Sequence, residues 1–239
     1  MRSVKAIFKK QLKDVLKNMG VLIQFIIFPT VAFAMTQLVA RGNDDIPDTM
    51  FITMMASVFV GMALIPTVAG IIAEDKERQS LRFLVMAGVK PSGYLLGIGG
   101  VIFCVSLLPS LAFTLMGRFS GEQFLLFMSA MMFGVVASTI LGLTIGIHAK
   151  NQQAATGLAM PFAMVLGFAP MIATFNEPMM RFTRFLYTQQ IDIILSSFDS
   201  AAGHPSANNV LESFGIIGVN IVVTGVLFAV AFAKKGLQS

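Results

Sequence analysis

The sequence predicts an all-α membrane protein of six transmembrane helices, and three observations predict it. Hydrophobic residues make up 56% of the 239-residue chain and charged residues only 12%, with a mean hydropathy of +0.80. A soluble domain carries about a quarter charged residues, so a water-facing surface of ordinary extent is excluded. Six runs free of Asp, Glu, Lys and Arg cover residues 21–40, 49–73, 94–117, 123–147, 154–176 and 213–233. The shortest has 20 residues, and about 20 apolar residues cross the hydrocarbon core of a bilayer. The third observation is that basic residues fall unevenly between alternate connections.

With the N-terminus inside, 13 of the 17 basic residues lie on the inner side, leaving Arg41, Arg118, Arg181 and Arg184 outside. Of the 12 acidic residues, only Asp14, Glu74, Asp75 and Glu77 lie inside. The positive-inside bias sets orientation, so both termini are expected in the cytoplasm. The net charge of +5 is then a mark of topology, and no nucleic-acid partner is expected.

In chain order, residues 1–19 place Val4, Phe8, Leu12, Val15 and Met19 at helical spacing, with Lys5, Lys9, Lys13 and Lys17 on another face. That pattern predicts an interfacial amphipathic helix, its lysines near anionic lipid headgroups. The first span imitates a cleaved leader, with "AFA" at 32–34 after a basic start. Its apolar run continues to Ala40, long enough to cross, so it reads as a retained anchor. Pro29, Pro66, Pro109, Pro161 and Pro170 fall inside spans, where a proline kinks a helix and neighbours satisfy the freed carbonyl.

Gly93/Gly97 and Gly142/Gly146 have the spacing that lets helices approach closely. Residues 177–212 are too apolar for an ordinary loop. Opened by Pro178, they predict one or two short outer helices dipping into the outer leaflet or capping the bundle. "AAGHPSANN" then reads as a flexible connection. Cys104, the single cysteine, reads as a small apolar residue.

The chain lacks a G-x-x-x-x-G-K-S/T loop, a His-Glu-x-x-His pair and a serine-centred elbow. No ATP site, resident metal or catalytic group is therefore expected in it. His148 and His204 fall on opposite sides of the membrane. Ion-driven carriers depend on ionisable residues at membrane depth, and the six runs contain none. Ion coupling through polar carbonyls stays open, but the chain reads as a conduit expected to obtain its energy elsewhere.

Charge concentrates instead in "AEDKERQSLRFLVMAGVKP", residues 73–91. Leu81 and Leu84 are spaced i, i+3, and Arg78 and Arg82 i, i+4. Pro91 ends the helical pattern. A short cytoplasmic amphipathic helix fits a groove on a soluble partner; the plainer reading is a solvated turn. This segment resembles the intracellular segment of ABC-2 type transporter permeases. An acidic start (Glu74, Glu77), a Ser-Leu pair (Ser80-Leu81), a second leucine (Leu84) and a following proline (Pro91) carry the resemblance. Gln79 stands where many members have glycine, and the proline comes later than in many of them. The layout of an N-terminal amphipathic helix, six spans and outer helices extends the resemblance over nearly the whole chain.

The resemblance implies one ABC-2 transmembrane domain over residues 1–239, paired with a second permease copy, identical or related. It also implies two cytoplasmic ATPase subunits, which carry the ATP and magnesium. Residues 74–91 become the coupling segment, with Glu74, Asp75, Glu77, Arg78, Leu81, Leu84 and Pro91 as contact residues. The export cargo is expected to be hydrophobic, amphipathic or peptidic, and the location a bacterial cell membrane. A secondary carrier or channel, or a non-transporting membrane scaffold, is the alternative.

Overall fold

The computed structural model describes residues 2–43, 45–79, 91–199 and 207–235. Ten α-helices occur among them: α1 (Arg2–Lys17), α2 (Met19–Leu38), α3 (Met50–Met62), α4 (Leu64–Glu77) and α5 (Pro91–Met116), followed by α6 (Glu122–His148), α7 (Gln152–Phe175), α8 (Glu177–Thr183), α9 (Tyr187–Ser196) and α10 (Ala207–Lys235). There is no strand among the described residues, so the chain is all-α. Six stretches are long and apolar enough to cross a membrane: Met19–Gly42, Met50–Glu77, Ser92–Met116, Glu122–His148, Gln152–Thr174 and Ala207–Lys234.

The helix boundaries follow from local chemistry. Asn18, Asn151 and Asn176 are N-caps whose side-chain oxygens accept from Gly20 N, Ala154 N and Met179 N. Asparagine satisfies amides that a helix start leaves without partners. Pro91 and Pro178 occupy first-turn positions, where no amide is needed. Pro66 cannot donate to the Met62 carbonyl, and the helix is interrupted beside it, at Ala63. Ala63 keeps helical dihedrals (φ −82°, ψ −41°), so α3 and α4 continue as one span.

That second span is the centre of the bundle. Of its most apolar window 83% is buried, against 6% for the sixth span at the rim. The core side chains Phe59, Leu64, Ile65, Val68 and Ile72 all come from it. The fourth and fifth spans approach it closely. A Cβ on Gly61 would stand 2.7 Å from Gly167 N, and one on Gly142 2.7 Å from Val68 Cβ. Gly142 and Gly146 thus serve packing within the chain, against α4.

Three elements differ from the sequence reading. In α1 the buried stripe is Ile7, Gln11 and Val15, with Phe8 and Leu12 half-buried beside it. Met19 lies outside α1 altogether, exposed at the start of α2. The stripe shifts because α5 offers a glycine seat: a Cβ on Gly97 would stand 2.6 Å from Ile7 Cγ2, and Gly100 faces the Phe8 ring. Helix α1 therefore packs on the start of α5 as well as presenting exposed lysines.

The outer segment forms two helices, but α9 is inserted into the bundle rather than laid over it. Tyr187, Ile191, Ile194 and Leu195 are buried. The Tyr187 hydroxyl meets Ser138 at 2.7 Å, and Ser138 lies about 24 Å along α6 from its outer end. Asn220 Nδ2, well inside α10, donates to Phe185 O at 2.9 Å. Helices α8 and α9 thus form a re-entrant hairpin. The last span begins at Ala207, so Asn208 and Asn209 belong to a helix rather than to the expected connection; His204 lies outside the described residues.

The close helix crossing gives a direct check. Gly61→Ala forces backbone apart and is expected to cost about 1–3 kcal/mol. Gly157→Ala, which meets nothing within 4 Å, should not destabilise. Thermal unfolding in detergent compares the two; equal midpoints would contradict this packing.

Candidate functional site

The C-terminal end of the second span, expected from the charge distribution to be its inner end, carries three consecutive residues whose side chains hold four other helices. Asp75 is buried at the end of α4. Its Oδ2 accepts from Gln11 Nε2 at 2.6 Å and from the Tyr94 hydroxyl at 2.7 Å. Lys10 Nζ donates to Oδ1 at 3.2 Å. One carboxylate so fastens α1 and α5 to α4. A buried carboxylate is tolerated only when paired and hydrogen-bonded, and here an ammonium, an amide and a phenol provide for it.

Lys76 Nζ donates to Ile147 O at 2.9 Å and to Ala149 O at 3.0 Å. These carbonyls close the C-terminus of α6, where a cation suits the helix dipole. Glu77 Oε2 accepts from Gln152 N at 3.2 Å, at the N-terminus of α7, where an anion suits the dipole. Helix periodicity points the three side chains about 100° apart, so each reaches a different neighbour. Glu74 and Arg78 form an i, i+4 ion pair at 2.8 Å. Arg78 is 72% exposed, and an exposed pair of this kind contributes about 0.3–0.5 kcal/mol.

The end of α4 has a further local cause. Arg78 N donates to Glu74 O, and Gln79 follows with φ +56°. This is the left-handed cap residue that ends many helices, a position glycine fills without a Cβ penalty. The position where Gln79 replaces the resembled family's glycine is thus one whose backbone favours glycine.

Of the sequence-expected residues, Asp75, Glu77 and Arg78 lie with Glu74 at this inner end, but Asp75 is engaged within the chain rather than offered to a partner. Leu81 and Leu84 lie outside the described residues. Pro91 is the first residue of α5. Lys5, Lys9, Lys13 and Lys17 are exposed, while Phe8 and Leu12 are half-buried. Sequence reasoning missed Lys10, Gln11 and Tyr94. Two signals pointed to them: Gln11 interrupts an apolar stripe, and the chain has only two tyrosines, both of which bury a hydrogen-bonded hydroxyl.

A second polar cluster lies at depth. Asp192 on α9 is buried, and Ser57 Oγ donates to its Oδ1 at 3.3 Å. Burial pushes the Asp192 carboxyl above the ordinary carboxylate range, and the Ser57 hydrogen bond offsets part of that rise. One turn earlier, the Thr188 hydroxyl is buried with no hydrogen-bond partner. The six apolar runs hold no ionisable residue, yet the re-entrant hairpin carries one into the bundle. Among the described residues no cluster of His, Cys, Asp or Glu could hold a metal ion.

Two substitutions test this geometry. Asp75→Ala strands Gln11 and Tyr94, each buried donor costing about 1–3 kcal/mol; exchange of the α1 amides with deuterium should rise, and unchanged protection would contradict the clasp. Gln79→Gly should raise unfolding stability by up to about 1 kcal/mol, read from the same thermal transitions.

No curated protein matches the chain. A family profile described as ABC-2 type transporter matches residues 2–188. The match spans well over half of the sequence and takes in α1 through the start of α9, the inner-end cluster included. The chain belongs to the ABC-2 type transporter family.

Proposed function

We propose that this chain forms the export path for a hydrophobic or amphipathic cargo (a lipid, a drug or a peptide) and is driven through residues 74–91 by separate ATPase subunits. Membership in the family makes it the permease component of an ABC transporter, not the ATPase, and implies association with ABC ATPase subunits. The six apolar helices agree with a multi-pass membrane protein. The finer reading adds a second permease copy, identical or related, and ATP with magnesium held by the partner subunits. It places both termini in the cytoplasm of a bacterial cell, with cargo leaving outward.

One observation carries the reading. Residues 75–77, at the start of the proposed coupling segment, hold α1, α5, α6 and α7 together. A push on that segment reaches four helices at once through side-chain contacts, and coupling needs a structural difference of that kind between states. Exposed charges at Arg78 and Glu77 remain available to a partner. The apolar bundle, rich in Phe and Met, suits apolar cargo better than a small ion.

The Asp192 carboxyl, buried at depth, favours a second reading in which a proton gradient contributes to transport. Reconstitution in liposomes with the ATPase subunits separates the two. Transport that needs ATP and persists in Asp192→Asn supports the first reading; transport that follows a pH gradient without ATP and vanishes in Asp192→Asn supports the second. Within the first reading, replacing Leu81 and Leu84 together by Asp should abolish transport while leaving membrane insertion intact. Normal transport in that double variant would contradict the coupling role.

A further inference from the structure

A groove of about 660 Å³ runs between α5, α6 and α10. Leu96, Phe103, Ile140 and Phe228 line it, and glycines open it. A Cβ on Gly225 would meet nothing within 4 Å, and one on Gly99 would come no closer than 3.9 Å, to Thr139 Cγ2. Volumes of roughly 300–1,000 Å³ are those of small-molecule sites.

The depth of the groove is informative. On α5 its lining extends from Ser92, at the helix start, to Phe103, about 16 Å along the axis. Half a hydrocarbon core measures about 15 Å. On α6 and α10 the lining again lies in the C-terminal half of the helix, and α6 ends beside Lys76. The groove is therefore one leaflet deep, and it opens on the side of the lysine-bearing helix.

Its inner edge is shared with α1. Gly100 lines the groove, and the Phe8 ring lies 3.4 Å from where a Gly100 Cβ would stand. Lys5 lies one turn from Phe8 and Lys9 next to it, both exposed. An apolar slot of one-leaflet depth, bordered through Phe8 by a helix that carries exposed lysines, is complementary to a lipid of negative headgroup.

We propose that the groove holds an acyl chain of an anionic phospholipid of the adjoining leaflet, with its phosphate at Lys5 and Lys9. The lipid then braces α1 against α5 and α10, on the helix that Asp75 fastens to α4. The site rests on the membrane reading of the six spans and is independent of which cargo is exported or what drives it.

Native mass spectrometry of the intact assembly, released from nanodiscs of equal phosphatidylglycerol and phosphatidylcholine, tests the site. One phosphatidylglycerol per chain should survive stripping. Gly225→Leu, which fills the groove where space is open, should lower that retention about tenfold, as expected from lost chain burial, with thermal unfolding unchanged. Lys5→Gln with Lys9→Gln should remove the preference for phosphatidylglycerol over phosphatidylcholine. Thr139 adds a control, because its buried hydroxyl has no partner in the chain. Thr139→Val should leave retention intact if an acyl chain lies there; loss of retention would mean a ligand hydrogen-bonded at that depth and would overturn the assignment. Undiminished retention in Gly225→Leu would overturn it too. So would efficient disulfide cross-linking between copies through Gly225→Cys in a Cys104→Ala background, which would make the groove a protein interface.

Discussion

The fold at the C-terminal end of its second span depends on a carboxylate that has no business in an apolar bundle unless it is fully paired. Asp75 follows Ile72, Ala73 and Glu74 and is buried, as Ile72 and Ala73 are, at the end of α4. Its desolvation is offset by Lys10, Gln11 and Tyr94 together. That requirement fixes where α1 lies and how α5 begins. Lys76 and Glu77 then use complementary helix dipoles to seat the ends of α6 and α7 on the same span. Apolar packing alone would let these helices slide, since lipid is as apolar as their side chains; directional polar contacts define one register.

The opposite end is organised by the same physics with weaker partners. Helix α9 enters the bundle with its backbone satisfied internally and most of its buried polar side chains matched, Thr188 excepted. Tyr187 pairs with Ser138, Ser57 with Asp192, and Asn220 reaches the Phe185 carbonyl where the hairpin turns. Non-helical backbone at membrane depth is tolerated only when buried in protein in this way. Arg184 and Glu212 pair at the flank of this hairpin. The inner cluster joins helices through a partly buried charge-assisted network, whereas the outer hairpin is held by an exposed ion pair, single neutral contacts and one poorly provided carboxyl. The outer end is thus the part of the bundle with less to lose on moving.

Much of this was legible in the sequence. Charge-free runs and the distribution of lysine and arginine marked six helices because bilayer thickness leaves few alternatives. The acidic start and Ser-Leu pair near residue 80 marked the candidate coupling segment. What escaped was anything set by partners distant in sequence. The apolar stripe of α1 was read from Val4 to Met19, whereas the seat at Gly97 and the pull of Asp75 on Gln11 select Ile7, Gln11 and Val15. Asp192 fell in a segment read as short helices dipping into the outer leaflet or capping the bundle, whereas α9 is inserted and buried almost all round. Periodicity reports which face is apolar; it does not report that two faces are buried or that a loop turns back into the bundle.

The central claim is that the neighbouring ends of α1, α4, α5, α6 and α7 move as one body because residues 75–77 tie them together. Spin labels at Lys13 on α1 and Lys150 between α6 and α7, both exposed, report on that body directly. Pulsed-resonance distances would be taken in the intact assembly with and without trapped ATP, after replacing Cys104. The account predicts the same intrachain distance distribution in both states; a second, nucleotide-dependent distance would contradict it.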